Sequence, residues 1–475
     1  MELPFSLMRF LLASIQTFES DFNGHVGEEL TRRGHEVEHV TVSCRSARLL
    51  RDQGYRAVCV PDLIADLPEH DVEANVRRIE SEYGLATIRD VYRTDPPSES
   101  RSEEWCVSRT VAYFLALERL FDDVRPDILV PEVGLELIRT VAHRVALKRR
   151  VPTFFLFYTI FPNPLRLYVD TMQAPIVSPD EARELEPGEH AEVEGFIADF
   201  TARREPIRRP RAILPTLPRM RHALEYFAAK LGNDRGNEYL LPANWTKEHI
   251  LGWARALAAH LLYSPLKPER RYVYFPLHDA EDYKIKRVIP QFSNQTAVIE
   301  QIADSLPPGY DLVLKEHPLS IGRNPFGTLR RMRKPPNVVL VPPRTSTHEL
   351  IERASALAVI SSTVGLEGLL YGKPVLTLGR PFYADQGLTV DVDSLAELRA
   401  NIPTLLHFRP DHERVLRFLH AAMRRCRPGA PVLVDRSEEN ARTLAATLEK
   451  AACGLGAPEQ AQSRALLGAS SSLPQ

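Results

Sequence analysis

The 475-residue chain reads as an α/β protein wound on parallel sheets, and three stretches carry that reading. From Ala356 to Leu378 an apolar run, a Ser-Ser-Thr turn, a helix-spaced run and a second apolar run follow one another. That is a strand–helix–strand crossover. Strand-then-helix units recur from Arg271 onward, and a strand, helix and strand also open the chain between Arg9 and Val42. Repeats at this spacing call for doubly wound parallel sheets.

Composition sets the class. A hydrophobic content of 44% and a charged content of 26% are those of an ordinary globular protein with ample core. A formal net charge of −2 supplies no global field for nucleic acid. The five cysteines, Cys44, Cys59, Cys106, Cys426 and Cys453, are odd in number and lack metal-ligand spacing. They are expected to be reduced thiols, which points to a cytoplasmic setting. No apolar run reaches the roughly 18 residues of a membrane-spanning helix. The opening residues carry Glu2 and no basic leader, so they read as a first strand rather than a signal peptide.

Taken in order, Arg9–Ser14 is that strand. A polar loop with Asp21, Asn23 and His25 follows, then a helix over Val26–Arg33, a stop at Gly34 and a strand over Glu36–Val42. G-x-G-x-x-G is absent from the loop, so no dinucleotide fingerprint is present. Tyr55–Pro61 reads as a short strand, and Ala65–Glu104 as a polar, largely exposed connection. Cys106–Phe121 is helical. Asp127–Pro131 is a buried strand that delivers Glu132 to its end. That carboxylate is a candidate general base, or else a cap for the next helix. After the strand Thr153–Tyr158 comes an aromatic, proline-bearing loop, suited either to a sugar or lipid or to plugging the core. Residues 179–260 show no strand period and read as helical. Their basic stretch, 203–211, either lies on an anionic membrane surface or forms a solvated helix face.

Arg271–Leu277 opens the second sheet. Tyr310–Pro318 is a strand pattern that ends in Lys315, Glu316, His317 and the strand-ending Pro318. A further strand lies at 337–343, and Ser346 with Glu349 forms a capping box before the strand at 356. Ser361, Ser362 and Thr363 then fall where the next helix begins. They are either plain caps or, beside the free amides of the helix N-terminus, a phosphate cradle. Glu367, one turn on, either reaches ribose hydroxyls or faces solvent. In open α/β sheets ligands bind at the carboxyl ends of strands, which is where both polar groups stand. Helices fill 394–451.

The segment YVYFPLHDAED at 272–282, the Lys315–Pro318 motif and SSTVGLEGLLYGKPVLTLG at 361–379 resemble the capsular polysaccharide biosynthesis glycosyltransferases. Those are GT-B enzymes related to the Kdo transferases of capsule and lipopolysaccharide export. The resemblance covers roughly Arg271–Tyr383 well and the N-terminal half only in layout. It implies two Rossmann-like domains facing a cleft, with a helical insertion and C-terminal helices. The expected boundaries are an acceptor-side domain at 1–178 and an insertion at 179–268. A nucleotide-sugar domain at 269–455 and a disordered tail at 456–475 complete the chain.

By resemblance, the donor is held by Lys315, Glu316, His317, Ser361, Ser362, Thr363 and Glu367. His317 and the hydroxyls meet its phosphate and Glu367 its ribose. Asp21, Asn23 and His25 fall on the acceptor side, and Glu132 and His278 are the candidate catalytic residues. One departure stands out: relatives carry Gln-Pro-Glu or a similar triplet after the 271–277 strand, where this chain has His278, Asp279, Ala280 and Glu281.

The implied activity is transfer of a sugar, CMP-linked and Kdo-like in the nearest analogy, to a surface-polysaccharide or glycolipid acceptor. No metal and no cofactor are expected, and the setting is cytoplasmic, with peripheral contact at the inner face of the membrane. Two other readings share the fold: a UDP-sugar 2-epimerase and a non-catalytic scaffold subunit of a polysaccharide assembly complex.

Overall fold

The computed structural model describes residues 7–173, 176–178, 181, 183–205, 217–232, 234 and 236–455. The expected tail at 456–475 and positions 206–211 of the basic stretch lie outside them. The chain divides into two compact units. One comprises Met1–Thr171, Ala229–Leu240 and Cys426–Gln475, and the other Met172–Ala228 and Leu241–Arg425. These divisions fall elsewhere than at 178 and 268. In particular, the last helix, Glu438–Gly454, joins the first unit instead of closing the second.

The first unit is built on β1 (Arg9–Ser14), β2 (Glu36–Thr41), β3 (Ala57–Cys59) and β4 (Ile128–Val130), in the spatial order β3-β2-β1-β4. All are parallel, with Arg9 opposite Glu36 and Phe10 opposite Ile128. Helices cover both faces of the sheet, as a parallel sheet requires. On one face the helix Glu103–Val124 buries Val111, Phe114, Leu117 and Phe121. On the other, Phe22, Val26 and Leu30 meet Leu444, Ala445 and Leu448 of the last helix.

Several expectations change here. The polar loop after β1 is helical from Thr17 to Arg32, so Asp21, Asn23 and His25 stand on a helix. A capping box between Gln16 and Glu19 starts that helix early. Its glycines are tolerated because they bring it close to the sheet: a Cβ on Gly27 would lie 2.8 Å from the buried His39 ring. The exposed connection after β3 is also largely helical. Pro61 sits in the first turn of Val60–Ala65, and Asp71 caps Val72–Tyr83 by accepting from Ala74 N at 3.0 Å. Asp95, within the expected loop, is fully buried and accepts from Arg109 Nη1 at 2.7 Å.

The aromatic loop holds a strand of its own. β5 (Phe154–Tyr158) pairs antiparallel with β6 (Leu165–Val169), and Phe161 and Leu165 are buried, which favours the core-plug reading. The cysteines give a further correction. Cys44 follows β2 and Cys59 ends its neighbour β3, and the two are joined in a disulfide. Cys106, Cys426 and Cys453 are free thiols.

The second unit carries β7 (Arg271–Pro276), β8 (Tyr310–Lys315), β9 (Val338–Leu340), β10 (Ala356–Val359), β11 (Val375–Thr377) and β12 (Val390–Asp391). Their order, β12-β11-β10-β7-β8-β9, is parallel throughout. The chain winds outward from β7 to β9, returns, and winds the other way from β10 to β12. This doubly wound sheet reverses between β7 and β10, and its carboxyl edge opens there. The first sheet reverses in the same way between β1 and β4. Both sheets thus fit the expected α/β class. Among the described residues no helix is long and apolar enough to cross a membrane.

The helix Thr363–Leu370 lies very close to β10. A Cβ on Gly365 would fall 2.0 Å from Tyr383 Oη and 3.0 Å from Val359 Cγ2. Gly365→Ala should therefore lose about 1–3 kcal/mol to overpacking, even though Ala is the better helix former by about 1 kcal/mol. The check is a lowered urea midpoint with an unchanged slope; wild-type stability would mean the helix does not pack this closely.

Candidate functional site

In the second unit the candidate residues gather at the reversal point. β7 runs out into Leu277 and His278, and the neighbouring β10 into Ile360 and Ser361. The Ser361 amide donates to His278 Nε2 at 3.2 Å, a bond across the point where the sheet changes direction. Gln295 holds the histidine in place. Its Oε1 accepts from His278 N at 2.9 Å, and its Nε2 donates to His278 O at 3.2 Å. Burial, and then the charges of Lys284 and His317, pull the His278 ring down to about 3. It is neutral at ordinary pH with Nε2 as acceptor. That makes His278 a brace for the 361–363 turn, with its Nε2 lone pair already committed.

The turn itself is well held. Ser362 Oγ caps the helix by accepting from Val364 N at 3.2 Å, and the Ser362 carbonyl accepts from Tyr383 Oη at 2.5 Å. Ser361 is 9% exposed and Thr363 half-buried. Gly379 allows β11 to close behind the turn, since a Cβ there would lie 2.9 Å from the Ile360 carbonyl.

β8 brings the second group to the same edge. Lys315 donates to the Thr345 carbonyl and to Thr347 Oγ1, both at 2.7 Å. Glu316 accepts from Tyr263 Oη and from Asn324 Nδ2, the latter at 2.8 Å. Both therefore anchor loops. His317 Nδ1 accepts from Leu319 N at 3.3 Å, and its carbonyl from Ser320 N at 2.9 Å. Those bonds fix the loop that follows Lys315 and set the ring's orientation.

Glu367 is buried, at 3% exposure, rather than facing solvent. Burial pushes it up to about 7, against the opposing charge of Lys315. Lys315 is itself drawn down to about 8 by burial. Among the described residues no hydrogen bond reaches the Glu367 carboxyl, so its acceptor capacity is available to a ligand hydroxyl.

In the first unit, Glu132 stands two residues past β4 with a φ of 60°, a left-handed conformation unusual for this residue type. It is 6% exposed. Burial raises it to about 7, against Arg139 and with Glu19 adding to the rise. Asn23 is occupied structurally, donating from Nδ2 to the Ala13 carbonyl at 3.3 Å. Asp21 is exposed and His25 half-buried on the same helix. Gln295, Glu19 and Arg139 escaped the sequence reading. Only Glu19 left a signal there, as the third residue of a capping box.

Residues 234–412, the segment that bears this site, match the model of the family described as capsule polysaccharide biosynthesis protein. Over 159 residues the chain is 29% identical to Protein FixF of Sinorhizobium fredii (strain NBRC 101917 / NGR234), which is 33% of this chain. That match spans only 38% of FixF. Among solved structures, KpsC of Thermosulfurimonas dismutans, a beta Kdo 2,4 transferase, overlaps at a TM-score of 0.38 and 17% identity. The overlap covers 62% of this chain and 79% of KpsC. A UDP-GlcNAc 2-epimerase from Neisseria meningitidis overlaps at a TM-score of 0.26 and 12% identity, over 86% of this chain and 94% of that one.

The buried Glu367 carboxyl yields a pH prediction. Its folded value lies above the ordinary carboxylate value of 4.5, so the folded state binds the proton more tightly. The resulting stabilisation is full below 4.5 and is lost as pH rises through about 7. Relative to Glu367→Gln, the wild type should thus lose about 3 kcal/mol between pH 4.5 and 7.5. Urea melts of both proteins across that range check it, and parallel pH profiles would show that Glu367 ionises normally.

Proposed function

We propose that the chain is a glycosyltransferase of surface-polysaccharide assembly whose second unit binds a nucleotide-activated sugar. The observation that carries this reading is the hydroxyl turn 361–363 at a helix N-terminus, braced by His278 at the reversal point of a parallel sheet. The match of residues 234–412 to the capsule polysaccharide biosynthesis family supports it.

Each residue then has a task set by its chemistry. In sugar transfer the bond to the donor phosphate breaks, and negative charge grows on the departing phosphate. The helix amides with Ser361, Ser362, Thr363 and His317 are suited to stabilising that charge. Glu367 is suited to the ribose hydroxyls, while Lys315 and Glu316 hold the loops around them. The donor is CMP-linked in this reading and the acceptor a glycan or glycolipid hydroxyl. Glu132 of the first unit, with a proton affinity near neutrality, is the carboxylate suited to receive the acceptor's proton. Since protein groups meet the phosphate charge, turnover should persist in EDTA.

A thermal-shift panel with CMP, UDP, GDP and TDP, with and without magnesium, tests the donor. A nucleotide at 100 times its Kd adds about 2.7 kcal/mol of stability. A shift with CMP alone is expected, and no shift with any of the four would sink the nucleotide-binding reading. His317→Ala should weaken the bound nucleotide by about 1–3 kcal/mol, the worth of a charge-assisted hydrogen bond. Unchanged affinity by calorimetry would remove His317 from the phosphate site.

A further inference from the structure

The reversal point of the first sheet carries a charge cluster that a purely structural account leaves unexplained. Glu19 follows the end of β1, and its Oε2 accepts from Ile15 N at 2.8 Å and Gln16 N at 3.3 Å. Arg139 Nη2 is shared between Glu19 Oε1 and Oε2, both at 3.0 Å. Its Nη1 donates to the Val133 carbonyl at 2.7 Å and lies 3.1 Å from Glu136 Oε2. Glu132, immediately before Val133, holds its left-handed conformation at the same edge. Arg139 is 6% exposed, Glu19 5% and Glu132 6%, so water screens this cluster little.

Two features go beyond a neutralised ion pair. The first is strain. A left-handed turn costs Gly nothing and Asn little, yet the chain places a glutamate there. The grip of Arg139 on the next carbonyl over-determines that conformation. The turn then leaves room for the guanidinium: a Cβ on Gly134 would lie 2.3 Å from Arg139 Nη1. The second is charge count. Glu19, Glu132 and Glu136 surround one guanidinium, with Asp95 adding its charge at Glu136. Glu19 already engages Arg139 through both oxygens, so one cation cannot hold all three carboxyls ionised.

We propose that Arg139, locked by Glu19, is the positioning residue for Glu132. It clamps the left-handed turn and leaves Glu132 as the carboxyl that exchanges a proton with a bound hydroxyl. This rests on the transferase reading for its chemistry. In the transfer the hydroxyl O–H bond breaks, and its oxygen bonds to the sugar's anomeric carbon. The bond from that carbon to the donor phosphate breaks with its electron pair leaving on the phosphate, and the proton ends on Glu132. Burial opposes the carboxylate most; of the groups around it, Arg139 favours the carboxylate, Glu19 opposes it, and a hydrogen bond from the Val432 backbone favours it. Glu136, itself raised by burial, bears on it through the guanidinium it shares, and the Glu132→Gln reference separates the two carboxyls.

The test needs neither donor nor acceptor, so it can fail while the transferase reading stands, and the reverse. In infrared difference spectra against Glu132→Gln, the carbonyl band of the protonated Glu132 acid is followed from pH 5 to 9. The midpoint is expected at about 7 in the wild type. Arg139→Met should move it to higher pH, and Glu19→Gln to lower pH, each by about one pH unit. Arg139→Lys, which keeps the charge and loses the fork, should stay nearer the wild type than Arg139→Met. A wild-type midpoint below pH 5, or shifts of the two variants in the same direction, would overturn the proposal. If Arg139→Met does not fold, Glu19→Gln decides alone: an unmoved midpoint there removes the Glu19 lock and overturns the proposal.

Discussion

The hydrogen bond from the Ser361 amide to His278 Nε2 is the interaction on which the second unit's site depends. Its partners are 83 residues apart and end the two strands between which the sheet reverses. Crossovers from adjacent strands leave in opposite directions there, so no connecting segment fills the gap. What fills it is a neutral imidazole, held neutral by burial and by the cations near it. Because the ring accepts, the amide beside the hydroxyl turn is satisfied, and the turn need not distort to find another partner. Gln295 fixes the imidazole, Tyr383 fixes the Ser362 carbonyl, and the hydroxyls keep a set geometry.

The two sheets share a design and differ in charge. At the second, Glu367 and Lys315 are buried near each other, and each is displaced toward its neutral form by loss of water. At the first, a guanidinium that stays charged sits among several carboxyls, and burial shifts Glu132 and Glu136 toward their neutral forms. Burial of charge is costly in both cases. Such cost is easier to understand at a ligand edge than in a structural core, where apolar residues of the same volume would serve as well.

Much of the architecture was legible locally. The apolar runs of β1, β7, β8 and β10, the cap at Ser346 and the stop at Gly34 lie in contiguous residues. Misreadings came where a tertiary contact overrode local preference. Glycine at 24 signalled a loop, yet close packing on Leu50 and Tyr55 makes a small residue the one that fits a helix there. The polar stretch after Ala65 looked exposed because Asp95 and Arg109, each unsuited to burial alone, satisfy one another. Cys44 and Cys59 looked unrelated until β2 and β3 paired.

By itself the sequence determined the α/β class, most strands of both sheets, and the position of Ser361–Thr363 and His317 at strand ends. These follow from periodicity, caps and prolines, whose physics acts within a few residues. Tertiary structure alone decided which strand ends are neighbours. That choice placed His278 against Ser361, turned Lys315 and Glu316 into loop anchors, and brought Arg139 to Glu19 across 120 residues. The last helix, too, went to the first unit through apolar contacts with Phe22 and Leu30 that no local pattern encodes. The reason is physical: strand order is set by crossovers that bury distant apolar faces together, and a charge's environment exists only once those faces have met.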